Sequence, residues 1–388
     1  MLMSILKLIL LAVVFYMNFL SRIIMSPLLP ELKTGFSMST GMASRVFLFL
    51  SLGYFTSQLA SGFVSSRITH KWTIFSSLVM SALFLILIAF STNILMLFIS
   101  VFALGLSTGL YLPSGISTIT TLFDERFWGR AVSIHELAPN LAFVTAPLIA
   151  SFVLMNTSWQ HLMYGLAMCF ATAGFILSLT SIGEFRGTAP GLSACNVYLR
   201  KRQFWLMLML FGLGISSTIG IYNMLPIFLV SEHHFSEADA NAIVGLSRVA
   251  TLFTALIGGV MSDRFGAKRV ICWVLLFTGF TTVLLGVVQG TMLKIAVFLQ
   301  PLLAVCFFPP AFAALSEISN PQDRNLLISM IIPFAYMLGA GIMPSFIGIL
   351  ADIGFFRQGF IVAGIFLLCG HLICSFLEPS QEILRSES

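Results

Sequence analysis

Long apolar stretches alternate with short polar breaks along the whole 388-residue chain. A helix needs about 20 mainly apolar residues to cross a bilayer. Because lipid offers no partner for unpaired backbone groups, such stretches are predicted to be helices. The pattern therefore predicts an all-α integral membrane protein with twelve transmembrane helices. The predicted spans are residues 5–29, 43–65, 72–91, 95–122, 130–153, 161–182, 203–230, 239–262, 268–289, 293–317, 325–350 and 358–377.

The composition agrees with a surface that faces lipid. Hydrophobic residues make up 58% of the chain and charged residues only 9%. Soluble domains carry roughly 25% charged residues. We therefore expect the lipid bilayer as a partner. The net charge of +5 comes from residues in the loops, so no nucleic-acid partner is expected.

The basic residues are concentrated in alternate loops, which predicts the topology. Lys33, Lys294 and Arg357 are nearly all that the opposite set of loops holds. Lys and Arg mark the cytoplasmic side of a membrane protein. We therefore predict a multi-pass protein of a bacterial-type inner (plasma) membrane, with both termini cytoplasmic. The loops that are rich in Lys and Arg contain Arg67, Lys71, Arg126, Arg130, Arg186, Arg200, Lys201, Arg202, Arg264, Lys268, Arg269 and Arg324.

The longest connection lies in the middle of the chain and divides it into two halves. Residues 183–202 contain glycine, proline and a basic cluster, as a cytoplasmic linker would. The predicted domains are thus 1–182, a six-helix half, and 203–388, a second six-helix half with a short cytoplasmic tail.

The two halves share a weak internal repeat, which is typical of transporter folds. Helix n of the first half corresponds to helix n+6 of the second. Three matches follow this scheme: residues 62–67 with 259–264, the Arg130/Pro139 spacing with that of Arg324/Pro333, and residues 28–30 with 224–226.

The stretch Gly-Val-Met-Ser-Asp-Arg-Phe-Gly-Ala-Lys-Arg, residues 259–269, resembles the loop between the second and third helices of each half in the major facilitator superfamily. The first-half copy departs from that pattern at Ser66, Thr69 and His70. The resemblance covers nearly the whole chain. It implies two pseudo-symmetric six-helix bundles and transport of a solute by alternating access.

The charges of these loops are predicted to gate the transporter by bridging neighbouring helices in one conformation. The alternative is that they only anchor helix ends in the headgroups. The bridge should be weaker in the first half, which lacks the Asp. The predicted gating residues are Gly62, Arg67, Gly259, Asp263, Arg264, Gly266, Lys268, Arg269 and Glu317.

Arg22 is predicted to lie at membrane depth, where ionisable residues are costly and mark functional sites. It follows Lys7 by 15 residues, or ~22 Å of helix, and Asn18 shares its face. The run Asn18–Arg22 is similar to the first helix of organic-anion symporters, although Ser21 stands where those usually have an acid. Arg22 is therefore predicted to bind a carboxylate or phosphate. The alternatives are an outer-interface position or an internal ion pair.

Arg248 is the corresponding candidate in the second half. It precedes Asp263 by 15 residues, and its repeat partner is Ser51, so the charge is present in one half only. Two cations from opposite halves could hold one anion. The alternative is an outer ion pair with Glu31, Glu232 or Glu237.

His135 and Glu136 are the predicted proton-coupling residues. Histidine titrates near neutral pH, and a carboxylate away from water can load and release a proton there. Adjacent helical residues point about 100° apart, so only one is expected to face a cavity. The alternatives are an ion pair of Glu136 with Arg126, Arg130 or an arginine of the linker, and a packed or headgroup-facing histidine.

Other polar side chains are weaker substrate-binding candidates, for which a helix-packing role is the alternative. They are Tyr54, Gln58, Tyr111, Tyr222, Asn223 and Tyr336.

Motifs for ATP hydrolysis, zinc proteases or serine hydrolases do not occur in the sequence. No cofactor or metal is expected, although residues 232–239 could hold a metal if they are not simply a solvated loop. The six cysteines form no CxxC pair and are interpreted as small core residues without disulfides.

These observations predict a secondary transporter, monomeric and not an enzyme, that moves a small anionic solute with a proton or other coupling ion. Symport and antiport both stay open. The main alternative is a proton-driven exporter of drug-like or siderophore-like molecules. A membrane-embedded enzyme or sensor is a third possibility, but the scattered charges and short loops do not favour it.

Overall fold

The computed structural model describes residues 2–187, 197–318 and 324–377. These residues form helices joined by short turns, with no strand among them. Eleven helical segments are long and apolar enough to cross a membrane, and a pair bent by 41°, over residues 237–265, makes up to twelve. The predicted all-α transmembrane architecture is confirmed.

The chain divides into two compact units. One comprises Met1–Met38 and Arg45–Pro190, and the other comprises Ser39–Ser44 and Gly191–Ser388. The second unit therefore includes the first turn of the helix that starts at Thr40. There the carboxylate of Asp352 accepts hydrogen bonds from the Ser39 hydroxyl (2.6 Å) and the Gly41 amide (2.8 Å).

The first unit is built from eight helices: α1 (Leu2–Ile23), α2 (Leu29–Gly35), α3 (Thr40–Arg67), α4 (His70–Ala89), α5 (Ile94–Gly109), α6 (Tyr111–Leu122), α7 (Glu125–Asn156) and α8 (Trp159–Ser178). Helix α1 packs on α7, and α4 packs on α5 and α8. The first predicted span is shorter than expected, because α1 ends before Pro27. Helix α7 is longer, and continues through Pro139 and Pro147.

Helices α3 and α5 approach each other closely at glycines. A Cβ on Gly105 would collide with the Leu50 carbonyl, and one on Gly53 with the Phe102 carbonyl. Small residues allow membrane helices to pack backbone against backbone. This contact fixes the position of α3 along its own axis relative to α5, and with it the position of Tyr54.

Over residues 202–318 and 324–377, the second unit contains ten α-helices and two π-helical segments. They are α9 (Arg202–Ile215), π1 (Ser216–Gly220), α10 (Ile221–His233), α11 (Glu237–Ser247), α12 (Thr251–Phe265), α13 (Ala267–Val287), α14 (Gly290–Val305), α15 (Phe308–Glu317), α16 (Arg324–Tyr336), π2 (Met337–Ile342), α17 (Met343–Asp352) and α18 (Phe356–Ser375). The seventh predicted span is thus α9–π1–α10, and the eleventh is α16–π2–α17.

The two π segments lie against each other. A Cβ on Gly339 of π2 would meet the Ser216 backbone of π1, and one on Gly220 would meet the Gly339 carbonyl. A π turn widens the helix and is frequent at functional sites. Because neither glycine has a side chain, the two widened turns can touch.

The start of the predicted linker is attached to the first unit. The His70 amide donates to Phe185 O (3.0 Å), the Lys71 amide to Gly183 O (2.8 Å), and the Gly187 amide to Ser65 O (3.0 Å). Residues 183–187 thus cover the short turn between α3 and α4. Residues 188–196 of the linker lie outside the described residues.

Candidate functional site

Arg22 lies in the last turn of α1 and is only 2% exposed. Its guanidinium carbon is 4.2 Å from the centre of the Tyr54 ring and 4.8 Å from that of Phe19. A cation over an aromatic face is attracted by the ring quadrupole. The charge is therefore buried, and two aromatic rings of the first unit contact it.

Asn18 lies one turn before Arg22 and is also buried. Its amide donates to Thr108 O at 2.9 Å, and its own carbonyl accepts from the Ser21 hydroxyl at 2.9 Å. The residue joins α1 to the end of α5. On α3, Gln58 lies one turn beyond Tyr54, and its buried Oε1 has no hydrogen-bond partner among the described residues.

A buried aromatic cluster joins α1, α6 and α7. The Tyr111 hydroxyl lies 2.6 Å from Leu11 O and 2.9 Å from His135 Nε2. The His135 ring, which is 0% exposed, stacks on Phe15 at 4.3 Å between centroids. Tyr111 is therefore a partner of His135 within the first unit.

These distances determine which nitrogen of His135 carries a proton. A carbonyl can only accept, so the single Tyr111 hydroxyl proton is donated to Leu11 O. The Tyr111 oxygen must then accept from His135 Nε2–H. In the neutral ring Nδ1 keeps its lone pair, and Glu136 Oε1 is 3.5 Å from that atom. Two acceptors face each other favourably only when one of them gains a proton.

Glu136 is next to this cluster on the exposed side of α7, with 49% of its side chain accessible. The sequence offered Arg126 as an ion-pair partner, but Arg126 instead lies 3.5 Å from Asp124. Of the two predicted coupling residues, His135 is thus enclosed and Glu136 is accessible. Together they form a short path from the surface of the first unit to Tyr111.

Arg248 lies at the end of α11 and is 1% exposed. One of its amino groups donates to Thr218 O of π1 at 3.0 Å, and its Cζ is 5.0 Å from the centre of the Tyr222 ring. Glu232, an alternative partner predicted from sequence, instead lies 3.4 Å from Arg357. The arginine is therefore held beside π1, within the second unit.

The π segments supply carbonyl groups that other buried side chains satisfy. Gln300 Nε2 donates to Ser217 O at 2.8 Å, and Asn223 Nδ2 donates to Ala340 O at 3.2 Å. Tyr336, the residue before π2, is also buried. Widened turns leave backbone carbonyls without their usual helical partners, which explains this concentration of donors.

Sequence reasoning missed Gln300, Ser217 and Thr218 as members of this region. Gln300 is an isolated amide in an apolar span, and residues 216–218 are three consecutive hydroxyl side chains. Polar residues at membrane depth are the signal that could have indicated them.

The loop after α12 has the charges that the sequence predicted for gating. Lys268 Nζ donates to the carbonyls of Ser375 (2.8 Å) and Leu377 at the end of α18. Asp263 forms no ion pair within the described part of the chain. The gating role stays a prediction for this set. The exposed members are Arg67, Asp263, Arg264, Gly266, Arg269 and Glu317, and the partly buried ones are Gly62, Gly259 and Lys268.

The candidate metal ligands at residues 232–239 are not brought together. No three His, Cys, Asp or Glu side chains of residues 2–187, 197–318 and 324–377 form a metal-binding group.

The sequence is similar to curated transporters along most of its length. The phosphoglycerate transporter protein of Salmonella typhimurium is 21% identical, over 90% of this chain and 82% of that protein. The probable nitrate transporter NarT of Staphylococcus aureus is also 21% identical, over 93% of this chain and 89% of its own.

The fold is similar to solved transporter structures. A bacterial homolog of the human lysosomal transporter Spinster, inward-facing and unoccupied, superposes with a TM-score of 0.83 at 14% identity and 98% coverage of both chains. A D-xylose-proton symporter gives 0.78 at 14% identity, again with 98% coverage of both. The sequence profile of the Major Facilitator Superfamily matches residues 11–240 and 204–388. This multi-pass membrane protein, with its two compact units and buried arginines, belongs to the Major Facilitator Superfamily of secondary transporters.

Proposed function

We propose that the protein transports a small anionic organic solute, and that Arg22 and Arg248 each bind its negative charge. The observation that carries this proposal is the burial of both guanidinium groups against aromatic rings. Burying a charge is costly, so a buried cation at membrane depth indicates a role in binding or transport. The planar fork of an arginine suits carboxylate and phosphate groups.

The relatives support an anionic solute. One is named for phosphoglycerate and several for nitrate, which both carry negative charge. An identity of 21% supports the charge class and not one particular solute.

The test is uptake by proteoliposomes containing the purified full-length chain. Phosphoglycerate, nitrate and a set of small carboxylates serve as probes, each with and without an imposed proton gradient. Arg22→Lys and Arg248→Lys keep the positive charge but lose the planar guanidinium group with its paired donors. The corresponding Ala variants lose both. Arg126→Ala is the matched control, because Arg126 is exposed on α7.

We expect at least one anion to accumulate, with uptake reduced at least tenfold by either Ala substitution and less by Lys. The control should transport like the parent. Unchanged uptake in both Ala variants would show that these arginines do not bind the solute. If no anion accumulates but drug-like or siderophore-like molecules are expelled, the protein is better described as a proton-driven exporter.

We further propose that transport is coupled to protons through His135 and Glu136. The support is the 3.5 Å approach of Glu136 Oε1 to His135 Nδ1, where a proton relieves the contact between two acceptors. The Tyr111 oxygen accepts from Nε2–H, so Nδ1 is the ring nitrogen that faces Glu136. A proton arriving at Glu136 can therefore pass to an enclosed ring.

Glu136→Gln separates coupling from binding. We expect this variant to exchange labelled for unlabelled solute at the parental rate, yet to lose accumulation driven by a proton gradient. A pH-sensitive dye inside the vesicles measures proton movement, and its direction relative to the solute distinguishes symport from antiport. Retained gradient-driven accumulation would refute a coupling role for Glu136.

For localisation we propose the inner (plasma) membrane, with the linker and both termini in the cytoplasm. The basic loops support this orientation through their excess of Lys and Arg. Single cysteines placed at Thr92 and at Gln203, in a cysteine-free background, provide the test. A membrane-impermeant maleimide should label position 92 in intact cells and position 203 only after lysis. Since the coupling model needs one chain only, a monomer is expected.

A further inference from the structure

Helices α13 and α18 form a close antiparallel pair in the second unit. Residue numbers rise along one helix as they fall along the other, and contacts recur in seven-residue steps. They join Cys272 O with His371 Nδ1, Gly279 with Gly364, and Gly286 with Arg357. Small residues allow this approach. The register therefore brings the beginning of α13 against the end of α18.

Two cysteines meet at that end of the pair. Cys374, in the last turn of α18, has its Sγ 3.3 Å from Lys268 O. In an α-helix this carbonyl accepts from the amide of residue 272, so the Cys374 sulfur lies beside the backbone of Cys272.

The two thiols differ in access. Cys374 is 0% exposed, whereas Cys272 is partly accessible. Cys272 lies four residues after Lys268, or ~6 Å along the helix, so it is near the charged edge of the span. A water-soluble reagent can thus reach Cys272 first, while Cys374 is held beside it.

We propose that Cys272 and Cys374 form a dithiol modification site, which small disulfides oxidise to an intramolecular disulfide. The Cys272 thiolate attacks one sulfur of the reagent, forms a mixed disulfide and releases one thiolate. The Cys374 thiol then attacks Cys272 Sγ, its proton passes to the departing thiolate, and the second thiol is released. The protein loses two electrons and two protons, and the reagent becomes two thiols. The new bond would join α13 to α18 covalently.

The test uses the purified full-length protein and 2-hydroxyethyl disulfide as the probe. After treatment, free thiols are alkylated with N-ethylmaleimide and the digested protein is analysed by mass spectrometry. We expect a cross-linked peptide pair containing Cys272 and Cys374 in the wild type, abolished by dithiothreitol. In Cys374→Ser the mixed disulfide should persist at Cys272, and in Cys272→Ser residue 374 should stay unmodified.

Cys369→Ser is the matched control, since Cys369 is an exposed thiol on the same helix. It should leave the cross-link unchanged, and a single symmetric gel-filtration peak checks that each variant is folded. Three results with the wild-type protein would overturn the proposal. They are a mixed disulfide that persists at Cys272, alkylation of both thiols, and a disulfide between either thiol and another cysteine.

Discussion

The guanidinium of Arg22 lies over the ring of Tyr54, with 4.2 Å between Cζ and the ring centre. Here the arginine comes from the first span of its unit and the tyrosine from the second. In the other unit the roles are exchanged, because Tyr222 belongs to the first span and Arg248 to the second. Each unit thus keeps an arginine–tyrosine stack between its first two spans, although the sequence repeat does not align the arginines.

Because each arginine stacks on a tyrosine ring, we expect the rings of Tyr54 and Tyr222 to contribute more to solute binding than their hydroxyl groups do. Tyr54→Phe and Tyr222→Phe retain the aromatic face, whereas the Leu variants remove it. A desolvated cation–π contact contributes about 2 kcal/mol, which corresponds to roughly a thirtyfold effect on solute affinity. We expect a rise in KM of that order for Leu and a near-parental KM for Phe. Equal effects of Phe and Leu would contradict a role for the ring.

Tyr111→Phe removes a hydroxyl that bonds two buried partners. Leu11 O keeps its helical amide partner but loses its second donor, and His135 Nε2–H loses its acceptor. An unsatisfied buried group costs about 1–3 kcal/mol, so the variant should unfold at a lower temperature than the parent. Differential scanning fluorimetry in detergent measures this. Tyr164→Phe, whose hydroxyl is not in this cluster, is the comparison and should leave the melting temperature unchanged.

Gly339→Ala tests the contact between the two π segments. The added methyl would overlap the Ser216 backbone, so π1 and π2 would have to move apart. We expect a marked loss of folded protein and of uptake. Gly165→Ala is the control, because nothing lies within 4 Å of a Cβ at that position. Similar yields and melting temperatures for the two variants would show that the close approach is not required.

The attachment of the linker can be tested through one ion pair. Lys71 Nζ lies 2.9 Å from Glu184 Oε1, and the Glu184 side chain is 55% exposed. Water screens a pair with one partner this exposed, and such a pair is worth about 0.2–1 kcal/mol. Glu184→Lys should therefore speed proteolytic cleavage near residue 187 by less than about fivefold, and Glu184→Gln by less than Glu184→Lys. No change in Glu184→Lys would mean that the backbone hydrogen bonds alone hold the segment.

The sequence determined the membrane class and the approximate helical spans, and it predicted a division into two halves. These properties depend on how many apolar residues follow one another and where Lys and Arg interrupt them, so no distant contact is needed to predict them. It also singled out Arg22, Arg248 and His135 as polar residues within apolar spans, and the structure buries all three side chains.

Only the tertiary structure decided which groups these residues contact. Gln300 satisfies a carbonyl 83 positions away, and Tyr111 bonds a residue 100 positions before it. Such pairs arise when helices pack at a particular height and rotation, which glycines such as Gly105 and Gly339 permit. The positions of the π turns also depend on tertiary packing. A widened turn persists only where side chains from other helices satisfy its carbonyl groups. Hydropathy fixes a span to within a few residues, whereas a hydrogen bond requires its two atoms to lie about 3 Å apart.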